Sequence, residues 1–272
     1  MESYQGPDKE DERLYWLMFP LSNILESGLA MMGECERKIF ARFFDEYGYI
    51  KDGRILHLDG LTKGNTDNAW TDLEQGLVFN IYGAVTELTN GYSLPGTASA
   101  YLCASASATQ IPNNQNATIE VCIKPTVIQQ GFVFAKSTNA YSPMFLIYSG
   151  GQVRGFNSSS GSGRYWTPGL QANQYYTVSI EFDKAYANGN SLTLANSTAG
   201  AWQMDSQTNY ARIGSRRRGS GIGDGQDMYK GDVYALRIYS RNLSKGEMRH
   251  NQIIDNERFN LGIDINPNYP FI

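Results

Sequence analysis

Two kinds of hydrophobic spacing divide this chain of 272 residues near position 50. Before that point apolar residues recur at helical intervals. Leu21, Leu25, Leu29, Met32, Ile39 and Phe43 follow steps of three, four and seven, with Glu34, Glu36, Arg37, Lys38, Arg42 and Asp45 on the polar side. Gly48 is the expected helix stop, while Gly28 and Gly33 argue against one unbroken helix. After residue 50 the pattern changes to short runs divided by Gly, Asn, Ser and Pro. The predicted strands are Arg54–Leu58, Val78–Ile81, Thr118–Ile123, Gly131–Lys136, Met144–Tyr148, Tyr175–Phe182, Ser191–Ala195, Ala211–Ile213 and Val233–Tyr239. Asn157–Gly163 and Gly214–Gly225 read as long loops.

The alternation carries a layer prediction. Ile119, Val121 and Ile123 oppose Thr118, Glu120 and Cys122, and Tyr176, Val178, Ile180 and Phe182 oppose Tyr175, Thr177, Ser179 and Glu181. One-sided strands of this kind bury a single face against a second sheet. Val233–Tyr239 differs, because Tyr234, Leu236 and Ile238 on one face and Val233, Ala235, Arg237 and Tyr239 on the other are both largely apolar. It reads as a strand covered on both sides. A helix over about Lys245–Asp255 follows: Ser244 and Glu247 have capping-box spacing, and Leu243 and Met248 occupy the positions of a hydrophobic staple. Many short strands and little internal helix make the chain mostly β, an antiparallel sandwich with a helical segment at 1–50 and a short C-terminal helix.

Composition narrows the function classes. Apolar content of 41% excludes a disordered chain, and 18 tyrosines with 28 glycines fit strands and turns. A net charge of −4 argues against a nucleic-acid partner. Cys35, Cys103 and Cys122 form no CxxC pair and fit a reducing compartment, with a Cys103–Cys122 bridge as the alternative. The acidic start MESYQGPDKEDER is unlike a signal peptide, and Leu14–Met32 is too interrupted by Pro20, Asn23 and Glu26 to span a membrane. Phe40, Phe43 and Phe44 would be costly to leave in water, so residues 1–50 are expected to contact the sandwich or a partner.

The segments ILHLDG, AWTDL, ATIEVCIKP, FVFAKS, YYTVSIEFDKA, ARIGS and YKGDVYALRIYSRNLSKGEM occur in an order that resembles laminin-G-like, concanavalin-A-like lectin/glucanase domains. The resemblance covers about residues 52–259 and implies a jelly-roll sandwich over 51–272. GYIKDGRILHLDGLTKGNTDNAWTDL further resembles the entry to such domains in structural proteins of tailed bacteriophages and prophages of gut bacteria. That resemblance implies a virion component, a fibre, capsid-decoration or tail module, made in the host cytoplasm. Residues 1–50 would attach to other virion proteins or form a homo-oligomer, and the sandwich would be free to bind host-surface or mucus glycans. The alternatives are a glycoside hydrolase or lyase of the same fold, and a structural spacer with no ligand.

Enzymes of this fold resemble an E-x-D-x-E strand, and a retaining pair needs carboxyls about 5–5.5 Å apart. Here Glu181-Phe-Asp183-Lys-Ala185 lacks the third carboxylate, so Glu181 and Asp183 are read as a solvated strand end and the chain as no enzyme. His57 and His250 are the only histidines and sit in no nucleophile motif, which leaves His57 a structural strand residue and His250 on the exposed side of the helix. No cofactor is expected except calcium, which the resemblance allows at the sandwich rim. The candidate ligands are Asp224 and Asp227 in GSGIGDGQDMYK, with Asp59, Asp67 and Asp72 in a second acidic loop, although Asp-Gly loops also serve as plain turns. Sugar binding favours aromatic platforms with polar neighbours. GRYWTPG offers Arg164, Tyr165 and Trp166, and SRRRGSG offers Arg216, Arg217 and Arg218 for an acidic sugar or a neighbouring subunit's carboxylates. The alternative is that Trp166 covers a sandwich edge and the arginines are a solvated loop. Trp70 and Trp202 read as packing residues.

Overall fold

Alternating apolar positions after residue 50 become eighteen strands among the described residues. The structure is a computed structural model, and it describes residues 43–63, 68–104, 117–136, 144–155, 164–181, 183–196, 211–217 and 225–265. In chain order the strands are β1 (Arg54–Asp59), β2 (Ala69–Thr71), β3 (Val78–Tyr82), β4 (Thr86–Leu88), β5 (Gly91–Pro95), β6 (Tyr101–Ala104), β7 (Thr118–Pro125), β8 (Gly131–Ala135) and β9 (Met144–Ile147). They continue as β10 (Val153–Gly155), β11 (Arg164–Thr167), β12 (Tyr176–Ile180), β13 (Ala185–Ala187), β14 (Asn190–Asn196), β15 (Arg212–Ile213), β16 (Arg216–Arg217), β17 (Gly225–Gln226) and β18 (Lys230–Tyr239). Helix α1 (Lys245–Arg258) follows.

The chain divides into two compact units, Met1–Lys51 and Asp52–Ile272. In the first, Phe43 is the last helical residue. A turn follows in which the Asp45 carboxylate accepts the Tyr47 and Tyr49 amides at 2.9 Å, Gly48 has φ 88°, and Phe44 bridges Ile50. The helix therefore stops before Phe44, and Gly48 serves a tight turn instead. The helical expectation for residues 1–42 lies outside the described residues.

The second unit is an antiparallel β-sandwich. One sheet runs β13-β12-β7-β18, with β5 and then β4 beside the first half of β18 and β1 beside its second half. The other runs β2-β3-β6-β15-β8-β9-β10-β11. Strand β14 joins them: Asn190–Leu192 pair with β13, and Thr193, Leu194 and Asn196 pair with β11. Between the sheets lies one core, with Leu56, Ile119, Val121, Val178, Leu236 and Ile238 from the first and Phe79, Leu102, Phe134, Ile147, Val153 and Trp166 from the second. The strip across β18 differs from simple alternation. A bulge at Tyr234 sets two residues of β18 against one of β7, so Val233 joins Leu236 and Ile238 in the core while Tyr234 and Ala235 turn outward.

The outward face of the first sheet is sealed as well. Thr118, Glu120, Cys122, Thr177, Ser179 and Glu181 were expected in solvent, yet all are buried. The cause is α1, whose Ser244–Glu247 capping box forms and which runs one turn past the expected end. Arg237 grips both layers, donating to Glu120 at 3.1 Å and to both Asp255 oxygens at 2.7 Å. Asn251 donates to Glu120 at 2.8 Å, and Gln252 donates to Ser179 at 3.1 Å. Arg237, Glu120 and Asp255 under the helix thus meet partners, which burial requires. Cys103 and Cys122 form no bridge with each other and lie on β6 and β7 of different sheets. Cys35 lies outside the described residues.

Candidate functional site

Among the described residues, the outward side of the second sheet carries a group of half-buried polar and aromatic side chains. Val153 and Trp166 point into the core, so their neighbours Arg154 and Tyr165, which pair across β10 and β11, point out. The Arg154 guanidinium lies 3.6 Å from the Tyr148 ring centroid and 5.0 Å from that of Tyr165. Its Nη2 donates to the Gln152 side-chain oxygen at 2.9 Å. Burial holds the Arg154 pKa below the usual range. Tyr148, Arg154, Arg164 and Tyr165 are all half-buried.

The turn between β9 and β10 places these groups. Gly151 has φ 75°, and a Cβ there would lie 1.9 Å from the Leu170 carbonyl oxygen, which only glycine permits. The Gly151 carbonyl in turn accepts the Leu170 amide at 2.7 Å.

The aromatic–cation pattern continues across the sheet. Tyr148 packs on the buried pair Phe132 and Ala135. Arg216 lies over the Phe132 ring at 5.6 Å. Further on, Arg212, beside Ala135 in register, lies 4.0 Å from the Tyr101 centroid, and Tyr101 stacks on Tyr82 at 5.0 Å. Arg212 is 1% exposed, so that end of the strip is closed and the Tyr148–Arg154–Tyr165 end is the accessible one.

The residues chosen from sequence separate accordingly. Tyr165 belongs to the site and Arg164 borders it, at the strand position opposite Gly155. Trp166 does not: it is 1% exposed within the core, because the register of β11 turns it inward. Arg216 is no solvated loop residue, since its Nε donates to Asp227 at 2.6 Å. A candidate sugar contact and a candidate calcium ligand thus neutralise each other. Arg218, Asp224, Asp67 and Trp202, and the side chain of Arg217, lie outside the described residues. Nothing in the sequence pattern singles out Arg154, Tyr148 and Gln152. Their signal, an arginine flanked by aromatic residues on adjacent short strands, becomes visible only once register is known.

The remaining acidic candidates are engaged in the fold. The Asp59 carboxylate accepts Arg258 at 2.6 Å and the Leu61 amide at 2.8 Å. Asp72 accepts the His57 amide at 2.6 Å and the Gln75 amide at 2.9 Å. Among the described residues no group of three His, Cys, Asp or Glu side chains is placed to hold a metal. Trp70 is a core residue, as expected, with its indole N–H on the Asp59 carbonyl at 3.0 Å. His57 is fully buried in β1, and burial, reinforced by Arg54, Arg237 and Arg258, pushes its pKa well down. His250 is half-buried.

Glu181 departs from the sequence expectation. It has no solvent exposure, whereas Asp183 is exposed, so the two do not form a solvated strand end. A turn bonding the Glu181 amide to the Lys184 carbonyl at 2.8 Å separates them. Burial, opposed by Lys184, Thr118 and the Leu243 amide, raises the Glu181 pKa to about 7.

No family model and no curated protein sequence matches the chain. Solved structures do. Trypanosoma rangeli sialidase in complex with sialic acid aligns with TM-score 0.53 at 14% identity, over 79% of this chain and 34% of that one. A mutant of that sialidase displaying trans-sialidase activity aligns with TM-score 0.56 at 13% identity, over 92% and 38%. The receptor-binding domain of botulinum neurotoxin C/D mosaic serotype aligns with TM-score 0.53 at 13% identity, over 75% and 51%. The chain spans about a third to a half of these proteins. At such identity the likeness establishes the lectin-like β-sandwich fold and nothing finer.

Proposed function

We propose that this chain is a non-catalytic, glycan-binding β-sandwich. The observation that carries the reading is the half-buried Tyr148–Arg154–Tyr165 site on the outward side of β10 and β11. Sugars present C–H faces and hydroxyls, and they are recognised by aromatic rings set beside fixed polar groups. Here Gln152 and Arg154 supply the polar groups, and Tyr148 and Tyr165 the rings. The fold shared with a sialic-acid-complexed sialidase and a toxin receptor-binding domain supports a surface-recognition role.

The resemblance of residues 48–73 to phage structural proteins supports a finer version. The sandwich is then displayed on a bacteriophage virion, held by residues 1–50 to other virion proteins or to further copies of itself. Several weak sites on one particle would then act together through avidity.

A glycan array probed with the whole chain tests the reading. Binding is expected, and Tyr148→Ala or Tyr165→Ala should weaken it by about tenfold or more while leaving the melting temperature within a few degrees. Polysaccharide turnover is expected to be absent. A hydrolase reading has the near-neutral Glu181 behind it, but this carboxyl has no exposure through which to meet a glycosidic oxygen. Turnover lost on Glu181→Gln would reverse that judgement, and co-sedimentation with particles tests the virion placement.

A further inference from the structure

Five arginines among the described residues are matched to carboxylates. Arg54 pairs with Glu74, Arg216 with Asp227, Arg237 with Glu120 and Asp255, Arg241 with Asp52 and Glu247, and Arg258 with Asp59. Arg154 is not one of them. Its neighbours are an uncharged amide oxygen and two phenol rings, and no carboxylate among the described residues reaches it. Nor is it a loose surface cation. The Tyr148 ring lies 3.6 Å from it, Gln152 fixes one N–H, and Nε is buried without a hydrogen-bond partner.

A guanidinium held this rigidly, with its terminal nitrogens only partly used, is a preformed fork for a planar anion. Two features make the charge costly without that anion. Burial already lowers the Arg154 pKa, and the rings offer only quadrupole attraction. An incoming carboxylate restores the missing pairing, and its charge is read in a partly desolvated setting where such bonds are strongest.

We propose that the ligand of this site is an acidic saccharide whose carboxylate is bound end-on by the terminal nitrogens of Arg154, with Tyr148 and Tyr165 flanking the sugar ring. This inference rests on the glycan-binding reading above and specifies its chemical class. Gln152 is the orienting residue: by holding one N–H it sets the plane of the fork. The acid preference belongs to Arg154 rather than to overall charge, because the chain as a whole is negative, at −4.

The test compares methyl glucuronide with methyl glucoside, which share a pyranose ring and differ in the carboxylate, by titration calorimetry on the full chain, after an array of neutral and acidic glycans. The glucuronide is expected to bind about tenfold or more tighter, with the advantage shrinking as salt rises from about 0.05 to about 0.5 M. Arg154→Gln should erase the preference and leave residual neutral-sugar binding, and Arg154→Lys should restore part of it. Equal binding of the two glycosides, unchanged by Arg154→Gln in a variant with wild-type melting, overturns the acid assignment and leaves the glycan reading standing. Array silence for every glycan overturns both. Binding of an acidic peptide as tightly as the glucuronide overturns the saccharide class and keeps only a carboxylate site.

Discussion

Replacing Glu181 by glutamine should make the protein more stable at alkaline pH and leave it unchanged in acid. Glu181 Oε1 accepts from the Thr118 hydroxyl at 3.3 Å, and that same hydroxyl also reaches the Arg241 carbonyl at 3.1 Å while accepting the Leu243 amide at 2.9 Å. One hydroxyl hydrogen cannot serve both acceptors. When Glu181 is protonated it can donate, freeing the Thr118 hydrogen for Arg241; when ionised it leaves a buried charge whose nearest cation, Lys184, is 4.0 Å away. The folded chain therefore holds the proton more tightly than the unfolded one, with a pKa of about 7 against an ordinary 4.5. By linkage, stability falls as pH rises through this window and levels off above about 7. The shift corresponds to roughly 3 kcal/mol, or about 6–12 °C in melting temperature for a chain of this size. Glutamine keeps the shape and the donor without the charge. Urea and thermal melts of both proteins from about pH 3.5, below the ordinary carboxyl range, to about pH 8.5 should superimpose at the acid end and diverge to that extent at the alkaline end. A difference that does not change with pH, or one in which the wild type gains stability above pH 7, would refute the reasoning.

Arg237→Met should cost about 3–5 kcal/mol in urea melts, because Glu120 and Asp255 would be left as buried unpaired charges. Hydrogen exchange should then rise first in α1, which this arginine fastens to β7 and β18. Ser244→Ala removes half of a formed capping box and should cost about 1 kcal/mol, read as an earlier thermal transition. Calcium and a chelator are each expected to leave the melting temperature unchanged, since Asp227 is already neutralised by Arg216 at 2.6 Å. A rise of several degrees at millimolar calcium would restore a metal site in the GSGIGDGQDMYK segment.

Fold class was legible because its signals are local. Period-two alternation, turn residues and a capping box each occupy a few consecutive positions, and all nine strands expected from them occur, with ends that differ by up to three residues. The strands that were missed, β2, β5, β6, β10, β11 and β13 among them, are short or lack alternation. β6 (Tyr-Leu-Cys-Ala) and β13 (Ala-Tyr-Ala) are buried throughout, so no polar position marks their period. The polar face of β7 and β12 misled for a related reason. Glu120 and Ser179 look solvent-facing until Arg237 and α1, more than fifty residues away in sequence, supply their partners. Trp166 and Tyr165 show the same limit within the site. Sequence places both in one aromatic motif, but which of two neighbours faces the core depends on register, and register is fixed by pairing with β10 and β14.

The most direct test of the central claim is to map, by chemical-shift perturbation on isotopically labelled protein, where a glycan selected from the array binds. The account predicts that the largest changes fall on β9, β10 and β11, at Tyr148, Gln152, Arg154 and Tyr165, and that they disappear in Tyr165→Ala. Changes confined to another face of the sandwich, or equal in the wild type and that variant, would contradict it.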